Sequence, residues 1–191
     1  MIAEEYLKSL KSESKKIKNK ELIDILIYGS SVKGKRKTGD IDIILIFNNL
    51  PLDKRLEITQ KFKEKVNLKN LDIKSINLIE LLDKSFLARQ GILLEGISLL
   101  DSKPLAKKLG FDSFTLFTYN TEKISNTEKV KLSFALNGRR NEKGFLEKIN
   151  AKKFGTGKIL VPISKSNLFS EFLEKLNLNF KQENILIANY K

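Results

Sequence analysis

The chain of 191 residues contains neither cysteine nor histidine. The first absence excludes disulfides and thiolate nucleophiles, and the second excludes imidazole as a base, an acid or a ligand. Cys/His zinc sites and every histidine-based acid–base scheme go with them. Chemistry in this chain must rest on carboxylates, hydroxyls, lysine, arginine or a bound hard metal ion. Long apolar runs are missing too. None approaches the roughly 18 to 20 residues needed to cross a bilayer, so no membrane span is expected. Met1 to Lys20 mixes Glu4, Glu5 and several lysines, without the apolar stretch of a signal peptide. A cytoplasmic location is the default expectation. Arginine is scarce, at five of the 36 basic residues.

What is present is a globular balance, with 41% hydrophobic and 31% charged residues. The length suits one good core or two small domains. A net charge of +13 favours phosphate-rich partners, nucleic acid first. The same excess also follows from a composition rich in Lys, Ile and Asn throughout, so charge alone decides little.

Periodicity divides the chain. Met1 to Lys20 has the spacing of an amphipathic helix, with Ile2, Tyr6, Leu7 and Leu10 on one face. Leu22 to Tyr28 is an apolar strand that stops at Gly29, and Asp40 to Phe47 is a second strand. Leu52 to Val66 repeats apolar residues at helical spacing through Leu56, Thr59, Phe62 and Val66. Leu71 to Ile76 is a third strand, and Asn77 with Glu80 forms a capping box for a helix after it. Ile92 to Leu100 is expected to be another strand. Ser102-Lys103-Pro104 is the expected junction, because proline restricts the residue before it. Beyond it lie a strand at Phe114 to Tyr119 and a helix at Thr127 to Asn137, capped by Ser125 and stopped by Gly138. A strand at Lys158 to Ile163, a helix at Asn167 to Leu176 and a strand at Ile185 to Ala188 follow. The expected class is α/β (α+β), with a catalytic domain at 1–103 and a smaller basic domain at 104–191. From Leu105 onward, 16 basic residues face 8 acidic ones.

The chemistry concentrates between Leu22 and Phe47. At Gly29 the missing side chain lets backbone N–H groups approach a phosphate closely, and Ser30 adds a hydroxyl. The loop Ser31 to Gly39 carries Lys33, Lys35, Arg36 and Lys37. These either grip a triphosphate or an RNA backbone, or form an ordinary solvated loop. Asp40 and Asp42 follow. Residues two apart on a strand share a face, so both carboxylates point one way and repel each other unless a cation stands between them. Mg²⁺ takes one or two carboxylates and leaves its other positions to water and substrate phosphates. If the third strand lies beside the second, Asp72 brings a third acid. That is the equipment for two-metal phosphoryl transfer.

Gly29-Ser30, nine residues, then Asp40-Ile41-Asp42 among apolar neighbours resembles the signature of the polymerase-β-like nucleotidyltransferase superfamily. The segment Phe86 to Ile97 is similar to the end of the minimal nucleotidyltransferase domains of prokaryotes. The resemblance covers about Leu22 to Leu100. It implies that Gly29 and Ser30 contact nucleotide phosphates; Lys33 and Arg36 beyond them are candidate phosphate contacts on charge, in a loop that departs from the small-residue, mixed-charge loop usual in the minimal domains. It also implies that Asp40 and Asp42 bind two Mg²⁺ ions, and that Asp72 assists deprotonation of the acceptor. An NTP such as ATP would be the donor. The acceptor would be RNA, with a tRNA-like 3′ end as first choice. Relatives of this kind also modify a protein partner as antitoxins, and a non-catalytic RNA-binding adaptor on the same scaffold is a further alternative.

In the second half, Gly155-Thr156-Gly157-Lys158 falls short of a P-loop. Lys152 stands where the first glycine belongs, and Ile159 where the Ser/Thr belongs. A tight turn is expected instead. Arg139 and Arg140 follow a helix end, where they complement the helix dipole or bind phosphate. With Lys152 and Lys153 they are the candidate nucleic-acid contacts. Phe134, Phe169 and Phe172 have helix-core spacing.

Overall fold

The computed structural model describes residues 4–32, 40–68, 70–122, 124–140 and 142–189. It is a mixed α/β molecule of two compact units, a first that runs through Phe111 and takes in Asn189, and a second of Asp112–Ala188.

The first unit runs α1 (Glu4–Lys15), β1 (Leu22–Tyr28), β2 (Ile41–Phe47), α2 (Leu52–Val66), β3 (Leu71–Asn77), α3 (Leu78–Leu82), α4 (Arg89–Glu95), β4 (Ile97–Ser98) and α5 (Leu105–Lys108). Its sheet has the order β3-β2-β1-β4. β1 is antiparallel to β2 and β4, whereas β2 and β3 are parallel, so the sheet is mixed. Alternate residues of the central strands feed two cores, which explains their unbroken apolar sequence. Ile25, Ile27, Ile43, Leu45 and Phe47 pack with Leu10, Phe62 and Val66 of α1 and α2. Leu26, Ile44, Ile46 and Ile76 pack with Leu81, Ile92 and Leu105 of α3, α4 and α5. The parallel pairing of β2 with β3 is made across the crossover helix α2. On α2, Leu56 is exposed and Arg55 is buried instead, because its guanidinium grips Glu80 at 2.6 and 2.9 Å. Glu80 also completes the capping box at Asn77.

Several expectations need correction. Ile92 to Leu100 is not one strand: Arg89–Glu95 is helical and buries Ile92 and Glu95 three residues apart, and only Ile97–Ser98 is extended. Tyr6 faces solvent, unlike Leu10. The expected junction at Ser102 to Pro104 lies inside the first unit. Leu105 beyond it joins the core, and Lys108 reaches the buried carboxylate of Asp24 at 2.6 Å.

The second unit runs β5 (Phe111–Tyr119), α6 (Asn126–Asn137), β6 (Gly138–Arg139), β7 (Glu142–Lys143), α7 (Phe145–Lys148), β8 (Lys152–Gly155), β9 (Lys158–Pro162), α8 (Ser166–Lys175) and β10 (Phe180–Ala188). β5 begins at Phe111, where the chain leaves the first unit. The sheet order is β10-β5-β9-β8. One core, with Phe117, Leu132, Leu136, Leu146, Val161, Phe169 and Leu173 at its centre, joins this sheet to α6, α7 and α8. Phe117 meets Phe169 edge to face at 4.8 Å. The Gly155–Lys158 stretch is the tight turn between β8 and β9. Gly157 there has φ +66°, and a Cβ on it would stand 2.5 Å from the Tyr119 carbonyl.

Candidate active site

Strand pairing aligns three polar side chains. Tyr28 is opposite Asp42, and Asp42 is opposite Asp72, so the three form one row across β1, β2 and β3. One step inward the row becomes Leu26, Ile44 and Lys74 on the same face. The polar row is therefore the end of an apolar face, where the core gives out.

Gly29 turns the chain directly beyond Tyr28, with φ +75°. A Cβ there would lie 2.6 Å from Asp42 Oδ2, so only glycine lets the turn and the carboxylate stand together. The turn Gly29–Ser31 is a single 3₁₀ turn, and the buried Ser31 hydroxyl donates to the Tyr28 carbonyl at 3.0 Å. Ser30 lies in the middle of that turn. Lys33 and Arg36, with the rest of 33–39, fall outside the described residues.

Electrostatics fits the row. Partial burial pushes the Asp42 carboxyl above the ordinary carboxylate range, and the neighbouring Asp72 and Asp40 carboxylates push it further, against the pull of Lys74. Burial raises the Tyr28 hydroxyl, and Asp42 adds to it. Lys74 Nζ stands 3.1 Å from Asp72 Oδ2, and that hydrogen-bonded pair raises the Lys74 ammonium. Asp40 sits just ahead of β2, not within it, and is exposed.

Asp42 and Asp72 are thus direct neighbours. Among the described residues, however, no three acidic side chains come close enough together to hold a metal ion by themselves. The donor set still suits a hard divalent ion. It offers only carboxylate oxygens, their mutual repulsion is relieved by a cation, and Mg²⁺ needs no more than one or two such ligands from a protein.

Residues 11–104 match the family model described as Polymerase beta, Nucleotidyltransferase. The first unit carries a polymerase-β-like nucleotidyltransferase domain. No curated protein matches the chain. The nucleotidyltransferase match ends before the second unit begins at Asp112. Among the described residues, no helix is long and apolar enough to cross a membrane.

Tyr28 and Lys74 of this nucleotidyltransferase domain were not singled out from sequence. Lys74 carried a usable signal, being two residues beyond Asp72 on a strand and hence on its face. Tyr28 needed the β1–β2 register, which the sequence does not display.

The second-unit candidates are dispersed. Arg139 is in β6 with its guanidinium 5.0 Å over the ring of Phe134. Phe134 is therefore not a core residue: it is 44% exposed, whereas Phe169 is fully buried. Arg140 is exposed at the turn after β6, with φ 55°. Lys152 and Lys153 are exposed on β8. Of the four, Lys153 alone lines the cavity of this unit.

Proposed function

We propose that this protein is a Mg²⁺-dependent enzyme that moves a nucleoside monophosphate from an NTP to an acceptor hydroxyl. The acceptor we infer is the 3′ end of an RNA, tRNA-like in kind. The observation that carries the reading is the register of Asp42 beside Asp72 at the edge where Gly29 leaves space against the Asp42 carboxylate. Asp40, Asp42 and Asp72 would hold two Mg²⁺ ions. When bound, these would neutralise the triphosphate and acidify the acceptor hydroxyl.

The rest falls to the chain. The backbone at Gly29 and Ser30 offers N–H groups to the phosphates, with Lys33 and Arg36 as further partners on sequence grounds. The Lys74–Asp72 pair is half open to solvent, and such pairs contribute about 0–1 kcal/mol, so Lys74 yields easily to another cation. Asp72, once free of it, accepts the acceptor's proton. The acceptor oxygen then bonds to the α-phosphorus as the bond from that phosphorus to the bridging oxygen breaks, and pyrophosphate leaves with the electron pair. The basic second unit would hold the RNA, in a cytoplasmic setting.

The test is incubation with each α-labelled NTP, Mg²⁺ and total cellular RNA. Label entering RNA supports the proposal. Label entering a co-purified protein instead supports the antitoxin alternative. Equal transfer by the wild type and by Asp40→Ala/Asp42→Ala would remove the enzymatic reading.

A further inference from the structure

The second unit holds a cavity of about 970 Å³, at the upper end of the range for small-ligand clefts. All its lining residues lie between Thr118 and Lys181. Leu132 and Leu136 of α6 present an apolar wall, and the half-buried rings of Tyr119 and Phe180 line it as well. Phe180 is fixed by Phe117, with ring centres 5.6 Å apart. Burial raises the Tyr119 hydroxyl. Among the described residues, that hydroxyl has no hydrogen-bond partner.

Three cations line the same cavity from three elements: Lys129 on α6, Lys153 on β8 and Lys181 on β10. All three are exposed, and among the described residues none is in an ion pair or a side-chain hydrogen bond. The acidic lining residue, Glu122, already accepts from the Asn120 amide at 3.0 Å. The Asn137 amide is likewise committed, donating to the Ser133 carbonyl at 2.8 Å. The Asn179 amide is uncommitted among the described residues.

An apolar wall with two aromatic rings, bordered by three cations on separate elements against the one carboxylate of Glu122, is the complement of bases joined by phosphates. An acidic peptide would use the lysines but leave the rings and the apolar wall without a partner. We propose that this cleft binds the terminal nucleotides of a single-stranded RNA, with bases against the rings of Tyr119 and Phe180 and phosphates at Lys129, Lys153 and Lys181. That assignment deepens, and rests on, the reading of the acceptor as RNA.

The full chain is titrated, without NTP, into a 5′-fluorescein single-stranded RNA decamer, and anisotropy is followed from low to moderate salt. Replacing Lys129, Lys153 and Lys181 together by alanine should weaken binding by about 10- to 100-fold. It should also flatten the log affinity versus log salt slope by about two, as three lost phosphate contacts on a single strand require. Ser133→Trp is a second variant on an exposed position, and it should fill the cleft and weaken binding at least about tenfold. Replacing Lys54, Lys63 and Lys65 of the first unit removes the same charge and should change affinity less than about threefold. Equal weakening by both lysine triples would overturn the proposal, as would tighter binding of a polyglutamate peptide than of RNA. The wild type, assayed for both RNA binding and nucleotide transfer, separates the two readings. Cleft-dependent RNA binding without any nucleotide transfer would sustain the cleft and sink the enzyme. RNA labelling that is indifferent to the cleft variants would do the reverse.

Discussion

The two four-stranded sheets of this molecule handle burial in opposite ways. The first is covered on both faces and has two cores, so its central strands are apolar at nearly every position. Polar residues on β2 are confined to Asp42 at its start. The second has one core, and its edge strand β10 is exposed along most of its length. A sheet buried on both faces takes a carboxylate either against dedicated partners, as Asp24 of β1 has in Lys108 and Ser98, or at its ends, where the acidic row gathers. A sheet buried on one face leaves room for a wide cleft and for lysines around it. Charge placement thus follows from the number of layers.

The contrast can be broken most severely at the acids. Asp40→Ala/Asp42→Ala should lower nucleotide transfer at least about a thousandfold, since several kcal/mol of charge stabilisation is lost, while circular dichroism stays unchanged. Next comes the single core of the second unit. Phe169→Ala should cost about 3–5 kcal/mol by denaturant titration, because no second core shares the load. Gly29→Ala follows, at about 1–3 kcal/mol. The new Cβ meets the Asp42 carboxylate in a left-handed backbone, and transfer should fall with stability. Asp42→Asn should act in the other direction. The folded carboxyl is raised by burial and by Asp72, so Asp42 favours folding when protonated. That contribution is lost as pH rises through the carboxylate range. In chelator at pH 7 the amide should raise Tm by no more than roughly 2–4 °C, and at pH below 3 the gain should vanish. The smallest effect belongs to Lys74→Ala. Its half-exposed pair with Asp72 should be worth under about 1 kcal/mol in thermal melts at low salt.

Much of the first unit was legible because double burial writes continuous apolar runs. β1 matches its expected bounds, and β2 starts one residue later than expected. The strand expected over Ile92 to Leu100 failed because a short buried helix and a strand both look apolar, and α4 ends only where Gly96 interrupts it. The second unit was harder. β6, β7, α7 and β8 have four residues or fewer, too short to display a periodicity. β10 starts at Phe180, well before the expected Ile185, because Lys181 to Asn184 are polar residues on an exposed edge. At the site, Asp42 and Asp72 could be paired from the order of elements. The collision that requires glycine at 29 is a long-range contact with no local signature. The cleft was invisible for the same reason, since its walls come from four separate stretches.

The parallel pairing of β2 with β3 has a kinetic side. Asp42 and Asp72 are thirty positions apart, and their strands pair only across the loop that α2 occupies. Loop-closure entropy is spent before this non-local pairing returns any contact, which puts it among the slower steps of folding. Until then the two carboxylates are separated and nothing concentrates their charge. The acidic row is assembled only as the domain finishes folding, so a partly folded or nascent chain does not yet contain the site.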